Sequence, residues 1–106
     1  MFLEVVQATL DRNTDSWGKM DPYCVIAAQG EEFRTKTHSK GHITPSWNEK
    51  FPIKITDLKG DIKITVFEED TLTSDLVGDT TFRVTDLLGK DIDKWFDIYY
   101  EKKKAG

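Results

Sequence analysis

The chain has 106 residues, 38% of them hydrophobic and 32% charged, with 15 basic against 19 acidic side chains and a net charge of −4. That length supports one domain, residues 1–106, with one core and no room for a large buried substrate pocket. An acidic balance excludes unaided attraction to nucleic acid or to an anionic membrane, although a bound divalent ion changes the sign locally.

Met1-Phe2-Leu3-Glu4 enters an alternating strand, without the basic and then apolar segments of a secretory leader. Leu3 to Leu10 is predicted as the first strand. Pro22 to Gln29 is the second, and its scarcity of charge makes it central. It contains the single cysteine, Cys24, which excludes an intramolecular disulfide and a multi-cysteine metal site. In the run Tyr23-Cys24-Val25-Ile26 the thiol is expected to act as a small buried hydrophobe. Gly30 turns the chain. Glu32 to Thr37 alternates, with Phe33, Thr35 and Thr37 on one face and Glu32, Arg34 and Lys36 on the other. His38 to Pro45 is a polar loop. Its His38 and His42 have a spacing that suits zinc only on a helix, so they are read as surface-loop residues.

Trp47 to Ile55 is the fourth strand, with Phe51, Ile53 and Ile55 on one face. Lys59-Gly60-Asp61 is a turn, and Ile62, Ile64 and Val66 line a fifth strand. Thr80 to Val84 is the sixth. Thr85 to Gly89 is expected to form one helical turn closed by glycine. Trp95 to Tyr100 is the seventh. Trp47, Phe51 and Trp95 are assigned to the core or its rim. Short strands of period two, separated by polar turns, predict an all-β antiparallel sandwich. No apolar run approaches the ~20 residues that span a bilayer, and the expected setting is cytoplasmic.

Two loops carry the chemistry. Asp15 and Asp21 lie six positions apart, and Glu68, Asp70 and Asp75 crowd a second loop. Carboxylates at this density repel one another unless a cation sits among them. Hard oxygen donors from two loops suit Ca²⁺, which takes about 6–8 of them in flexible geometry. The bland reading is a solvated acidic face, since Asp is common in turns. A helix–loop–helix calcium loop is excluded, because no Asp-x-Asp-x-Asp-Gly series occurs.

Three longer runs carry a family likeness. Asp15 to Tyr23, with its Gly18-Lys19-Met20-Asp21-Pro22-Tyr23, resembles the first calcium loop of a C2 domain. Phe33-Arg34-Thr35-Lys36-Thr37 followed by Thr44-Pro45-Ser46-Trp47-Asn48-Glu49-Lys50-Phe51 resembles the same family, as does Ile64 to Thr71 followed by Asp75-Leu76-Val77-Gly78. The resemblance implies an eight-stranded antiparallel Greek-key β-sandwich with calcium loops at one end. Seven strands are visible, and Ala105-Gly106 resembles the pair that precedes the family's last strand, which would leave an open sheet edge. By the same resemblance Asp15 and Asp21 are loop-one ligands and Asp70 and Asp75 loop-three ligands. Glu68 stands where aspartate is usual, and the backbone carbonyls of Met20 and Glu69 complete the shell.

Charge then implies mechanism. Filling the loops with Ca²⁺ offsets most of their negative charge and allows docking onto anionic phospholipid. Trp17 and Leu72 fall at the expected loop tips and are candidate membrane contacts. Arg34, Lys36, Lys50 and Lys54 match the strand positions where relatives carry a basic headgroup cluster. The function expected is a non-catalytic, calcium-dependent membrane-docking domain, peripheral on the membrane when loaded. The alternative is a domain that binds a protein or lipid partner without calcium, which Glu68 and a loop three one residue shorter than the family pattern between Asp70 and Gly78 favour.

Overall fold

The computed structural model describes residues 2–11, 19–69, 74–86 and 95–106. Its strands are β1 (Phe2–Gln7), β2 (Pro22–Ala28), β3 (Glu31–Arg34), β4 (Ser46–Pro52), β5 (Asp61–Glu69), β6 (Ser74–Arg83), β7 (Tyr99–Tyr100) and β8 (Lys103–Lys104). A single 3₁₀ turn, Val84–Asp86, follows β6. β1 pairs with β4, and the other strands form one antiparallel sheet in the order β3-β2-β5-β6-β7-β8. β2 and β5 are interior strands, as the low charge of Pro22 to Gln29 predicts for the first of them. The core closes between the two sheets. Val5, Leu10 and Ile53 from one side meet Cys24, Ile26, Ile62, Val66, Val77 and Phe82 from the other. Such burial contributes about 1.5–3 kcal/mol for each large aliphatic side chain.

Two local departures from regular pairing matter for the acidic end. β4 bulges against β1 between Val5 and Gln7, at Asn48, whose φ of 52° is tolerable for asparagine. β6 bulges against β5, where Val66 faces Gly78 but Phe67 faces Leu76, leaving Val77 as the extra residue.

Among the described residues eight strands form, one more than the seven visible in the sequence. Glu101 and Lys102, both at positive φ (49° and 66°), fold Lys103–Lys104 back onto Tyr99–Tyr100. Ala105 and Gly106 then lie between two rails. Ala105 N–H donates to the Ile98 carbonyl (2.7 Å), Ile98 N–H to Gly106 (3.0 Å) and Asp11 N–H to Ala105 (2.7 Å). Beyond that point the edge of β1 away from β4 has no partner among the described residues. β6 is longer than expected because it pairs with β5 along its whole length, although Ser74 to Thr80 shows little alternation. β7 is shorter. The helical turn begins one residue early, and the rest of Thr85 to Gly89 lies outside the described residues after Asp86. Trp95 is not a core residue: it is 65% exposed. Phe96 faces inward instead and stacks on Phe82 at 4.7 Å between ring centroids.

Gly78 on β6 packs tightly against Ile98, Tyr99 and Ala105. A Cβ there would meet Ala105 Cβ and Ile98 Cδ1 at 3.1 Å and the Tyr99 carbonyl at 3.3 Å. Gly78→Val is therefore expected to cost about 1–3 kcal/mol by overpacking, a fall in melting temperature on the order of 10 °C.

Cys24 is buried, and its backbone N–H donates to Thr35 Oγ1 (2.9 Å). Burial, with a smaller contribution from the Glu49 carboxylate, pushes its thiol from 9.0 up to about 12. The unfolded thiol ionises first, so its contribution to stability is intact below pH 9.0 and is lost as pH rises toward about 12. Cys24→Ala should flatten that part of the alkaline stability profile in urea denaturation.

Candidate metal centre at one end of the sheet

The site begins with strand register. Glu68 on β5 sits directly opposite Pro22 on β2 and Asp75 on β6. Glu68 is only 4% exposed and shares the inward face of β5 with Ile62 and Val66, whereas Asp75 is half-buried. Side chains directly opposite on antiparallel strands have Cβ atoms roughly 4.5–5.5 Å apart, and like charges there repel. Just outside the ladder, Glu69 N–H donates to the Asp21 carbonyl (2.9 Å). Three expected ligands, Asp21, Glu68 and Asp75, are thus delivered to one end of three adjacent strands.

Asp21 is held from a second side by the loop after β3. Its Oδ1 accepts the Lys40 N–H at 2.6 Å. His38 N–H donates to the Pro22 carbonyl (2.9 Å) and His42 N–H to the Met20 carbonyl (2.9 Å). Met20 N–H returns a bond to His42 Nδ1 (3.3 Å), and Ser46 N–H donates to His38 Nδ1 (2.9 Å). Both imidazoles therefore accept at Nδ1 and act as braces. The spacing of the two histidines flagged them, but only the loop's contact with Met20, Asp21 and Pro22 shows what they do. Lys40 and His42 hold φ values of 57° and 54°, which turn their N–H groups inward.

The outer face of the sheet braces the other acidic segment. Tyr23, 6% exposed, stacks on Phe67 (5.5 Å) and donates its hydroxyl to Ser74 Oγ (2.8 Å). The Arg34 guanidinium lies 3.8 Å from the Tyr23 ring centroid and 3.7 Å from Glu69 Oε1. Thr37 donates its hydroxyl to Glu69 Oε2. Glu69 and Ser74, which flank residues 70–73, are thus tied to β2 and β3.

Asp15, Asp70, Trp17 and Leu72 lie outside the described residues. Among the described residues, no three His, Cys, Asp or Glu side chains converge closely enough to hold a metal ion by themselves. The hard-oxygen donors that are present suit Ca²⁺, and the Met20 carbonyl already accepts one hydrogen bond. The basic candidates are not gathered on neighbouring strands, because β3 and β4 belong to different sheets. Arg34 is engaged as described, Lys50 faces Glu4 across β1, and Lys36 N–H donates to Glu49 Oε2 (2.7 Å). Lys54 is exposed just past β4.

A profile of the C2 domain family matches residues 1–98. The chain belongs to the C2 domain family. Human Extended synaptotagmin-3 is 30% identical to this C2 domain over 81 residues, which is 74% of this chain and 9% of that protein. A Multiple C2 and transmembrane domain-containing protein of Drosophila melanogaster is 37% identical over 70 residues, 66% of this chain and 8% of its own length. The C2 domain thus spans less than a tenth of either relative. Among solved structures, a C2 domain of plant Extended Synaptotagmin 1 superposes with a TM-score of 0.85 at 18% identity, covering 98% of this chain and 85% of that one. The calcium-bound tandem C2 domains of Extended-Synaptotagmin 2 give a TM-score of 0.83 at 22% identity, covering 98% and 41%. These likenesses show that the C2 domain has the family's sandwich.

Tyr23→Phe keeps the ring stack but deletes the bond to Ser74. It should cost about 1 kcal/mol in urea denaturation and speed amide exchange at the start of β6.

Proposed function

We propose that this C2 domain binds Ca²⁺ through Asp15, Asp21, Glu68, Asp70 and Asp75, with the Met20 and Glu69 carbonyls, and thereby docks onto anionic phospholipid. The observation that carries the reading is the register that sets buried Glu68 against Asp75 at the strand end bonded to Asp21. Opposed carboxylates at such a place favour a divalent cation. The calcium-bound Extended-Synaptotagmin 2 domains share the fold and support the choice of ion. Bound calcium supplies positive charge and an open coordination position for a phosphate oxygen. The chain's own part is to hold its carboxylates together and to present Trp17 and Leu72 to the headgroup layer. Among the described residues no helix is long and apolar enough to cross a membrane. Reversible, peripheral attachment from the cytoplasm is the expected mode. The domain is read as non-catalytic: the Cys24 thiol is buried and pushed up to about 12, and both histidines spend Nδ1 on backbone N–H groups.

A calcium-independent binding role is the second reading. The His42 bond to the Met20 carbonyl favours it, because that oxygen already has a donor.

Melting curves with calcium, magnesium or chelator separate the two. A ligand at a hundredfold excess over its Kd adds about 2.7 kcal/mol, on the order of 10 °C for a domain of this size. A rise with calcium alone, lost in Asp21→Asn, is the expected result. No rise at millimolar calcium would transfer the function to the calcium-independent reading. In the calcium-loaded protein, Trp17→Ala is expected to weaken co-sedimentation with phosphatidylserine vesicles and leave the thermal shift in place.

A further inference from the structure

The Glu69 side chain is held by more contacts than an exposed carboxylate needs. Arg34 Nη2 lies 3.7 Å from Glu69 Oε1, and both side chains are about half exposed. Thr37 donates its hydroxyl to Glu69 Oε2, and the same guanidinium nitrogen donates to Thr37 Oγ1 at 3.5 Å. These three groups close a ring of polar contacts on the outer face, between the end of β3 and the end of β5. Arg34 is fixed in turn by the Tyr23 ring, whose centroid is 3.8 Å from its Cζ, and Tyr23 by Phe67 and Ser74.

An exposed ion pair contributes little to stability, so the clamp on Glu69 points to another use. Glu69 joins the outer face to the acidic end. Its carboxylate is spent on Arg34 and Thr37, while its N–H donates to the Asp21 carbonyl (2.9 Å). Across the ladder it is paired with Ser74. Its own carbonyl is one of the oxygens expected at the ion, and Asp21 supplies another. Ca²⁺ holds its oxygens at about 2.3–2.6 Å, so a small shift of Glu69 reaches two ligands at once.

We propose that Arg34 and Thr37 are positioning residues for the calcium site. By holding the Glu69 carboxylate on the outer face they set the Glu69 backbone against Asp21, and they raise the affinity for the ion without touching it. This role rests on the calcium reading above. The sign of the effect separates positioning from charge. An arginine near a cation site repels the cation through space, so on charge alone Arg34→Ala would tighten calcium binding. Positioning demands the reverse.

The test is calcium titration of the full chain by isothermal titration calorimetry below the melting transition, with urea denaturation in chelator beside it. Thr37→Val, which changes no charge, should raise the calcium Kd about 5-fold, as expected for the loss of one hydrogen bond. Arg34→Ala should raise it to a similar degree. Thr37→Ser keeps the hydroxyl and should restore the wild-type value. Lys63→Ala removes a positive charge elsewhere on the sheet and should not raise it. Tighter binding in Arg34→Ala would reduce that residue to a through-space charge and overturn its positioning role. An unchanged Kd in both Thr37→Val and Arg34→Ala, even with lower stability in urea, would make the clamp purely structural and overturn the proposal. Equal weakening in Lys63→Ala would overturn it as well. A wild-type protein that binds no calcium would sink the calcium reading and this role with it, whereas wild-type binding with unaltered variants would sink this role alone.

Discussion

A single extra residue, Val77 in β6, decides which side chains meet at the acidic end. Because side chains alternate across a strand, a one-residue slip would exchange inward and outward faces. With Val66 opposite Gly78, an unbroken ladder would set Leu76 against Glu68. The bulge absorbs Val77 into the core and brings Asp75 there instead. Leu76 is thereby matched with Phe67 on the outer face. The cost is one disrupted ladder position, offset by the complete burial of Val77. An apolar residue at the bulge anchors a polar arrangement only two residues away.

From that register follows a division of labour between the two faces of the six-stranded sheet. Inward at the strand end are the carboxylates of Glu68 and Asp75, and outward is the stack of Arg34, Tyr23 and Phe67 with its ties to Glu69 and Ser74. An exposed ion pair alone is worth little. Here Arg34 also lies on an aromatic ring, which adds cation–π attraction, and Tyr23 is buried beneath it. The outer face thus restrains both residues flanking 70–73 without using any inward carboxylate. On the other side, the loop from His38 to His42 restrains Met20 and Asp21 through backbone donors. The Asp21 carboxylate and the backbones of Glu68 and Asp75 are thus positioned by bonds within the chain.

Much of this was legible in the residues, and the failures are instructive. Period-two patterning located β1, β3, β4 and β5, whereas scarcity of charge located β2, which has no exposed residue. It shortened β6, where Ser74, Gly78, Thr80 and Thr81 carry too little polarity contrast to announce a strand. Aromatic character assigns Trp95 to the core or its rim; the alternation of Phe96, Ile98 and Tyr100 gives the inward side to even positions and leaves Trp95 exposed. The spacing in the sequence singles out Asp21, Glu68 and Asp75, which share one end of the sheet. The bulge was not legible there, because nothing local distinguishes Val77 from an ordinary strand valine. Nor was the role of the loop after β3: its Lys40 and His42 act through backbone N–H groups, which every residue type except proline possesses. Arg34, Lys36, Lys50 and Lys54 are grouped by the family resemblance rather than by local pattern, and β3 and β4 lie in different sheets.

Glutamate at position 68 then has a physical meaning. Its backbone lies inside the ladder, bonded into a strand with partners on both sides, and its side chain starts from the buried face. From such a position an aspartate carboxylate would remain one methylene deeper among apolar neighbours, where desolvation penalises its charge. A glutamate side chain on that face reaches one methylene further than an aspartate from the same backbone position. Since Asp21 and Glu69 are already fixed by backbone bonds, the proposed calcium reading implies a response that alters charge far more than shape, and is therefore expected to be electrostatic.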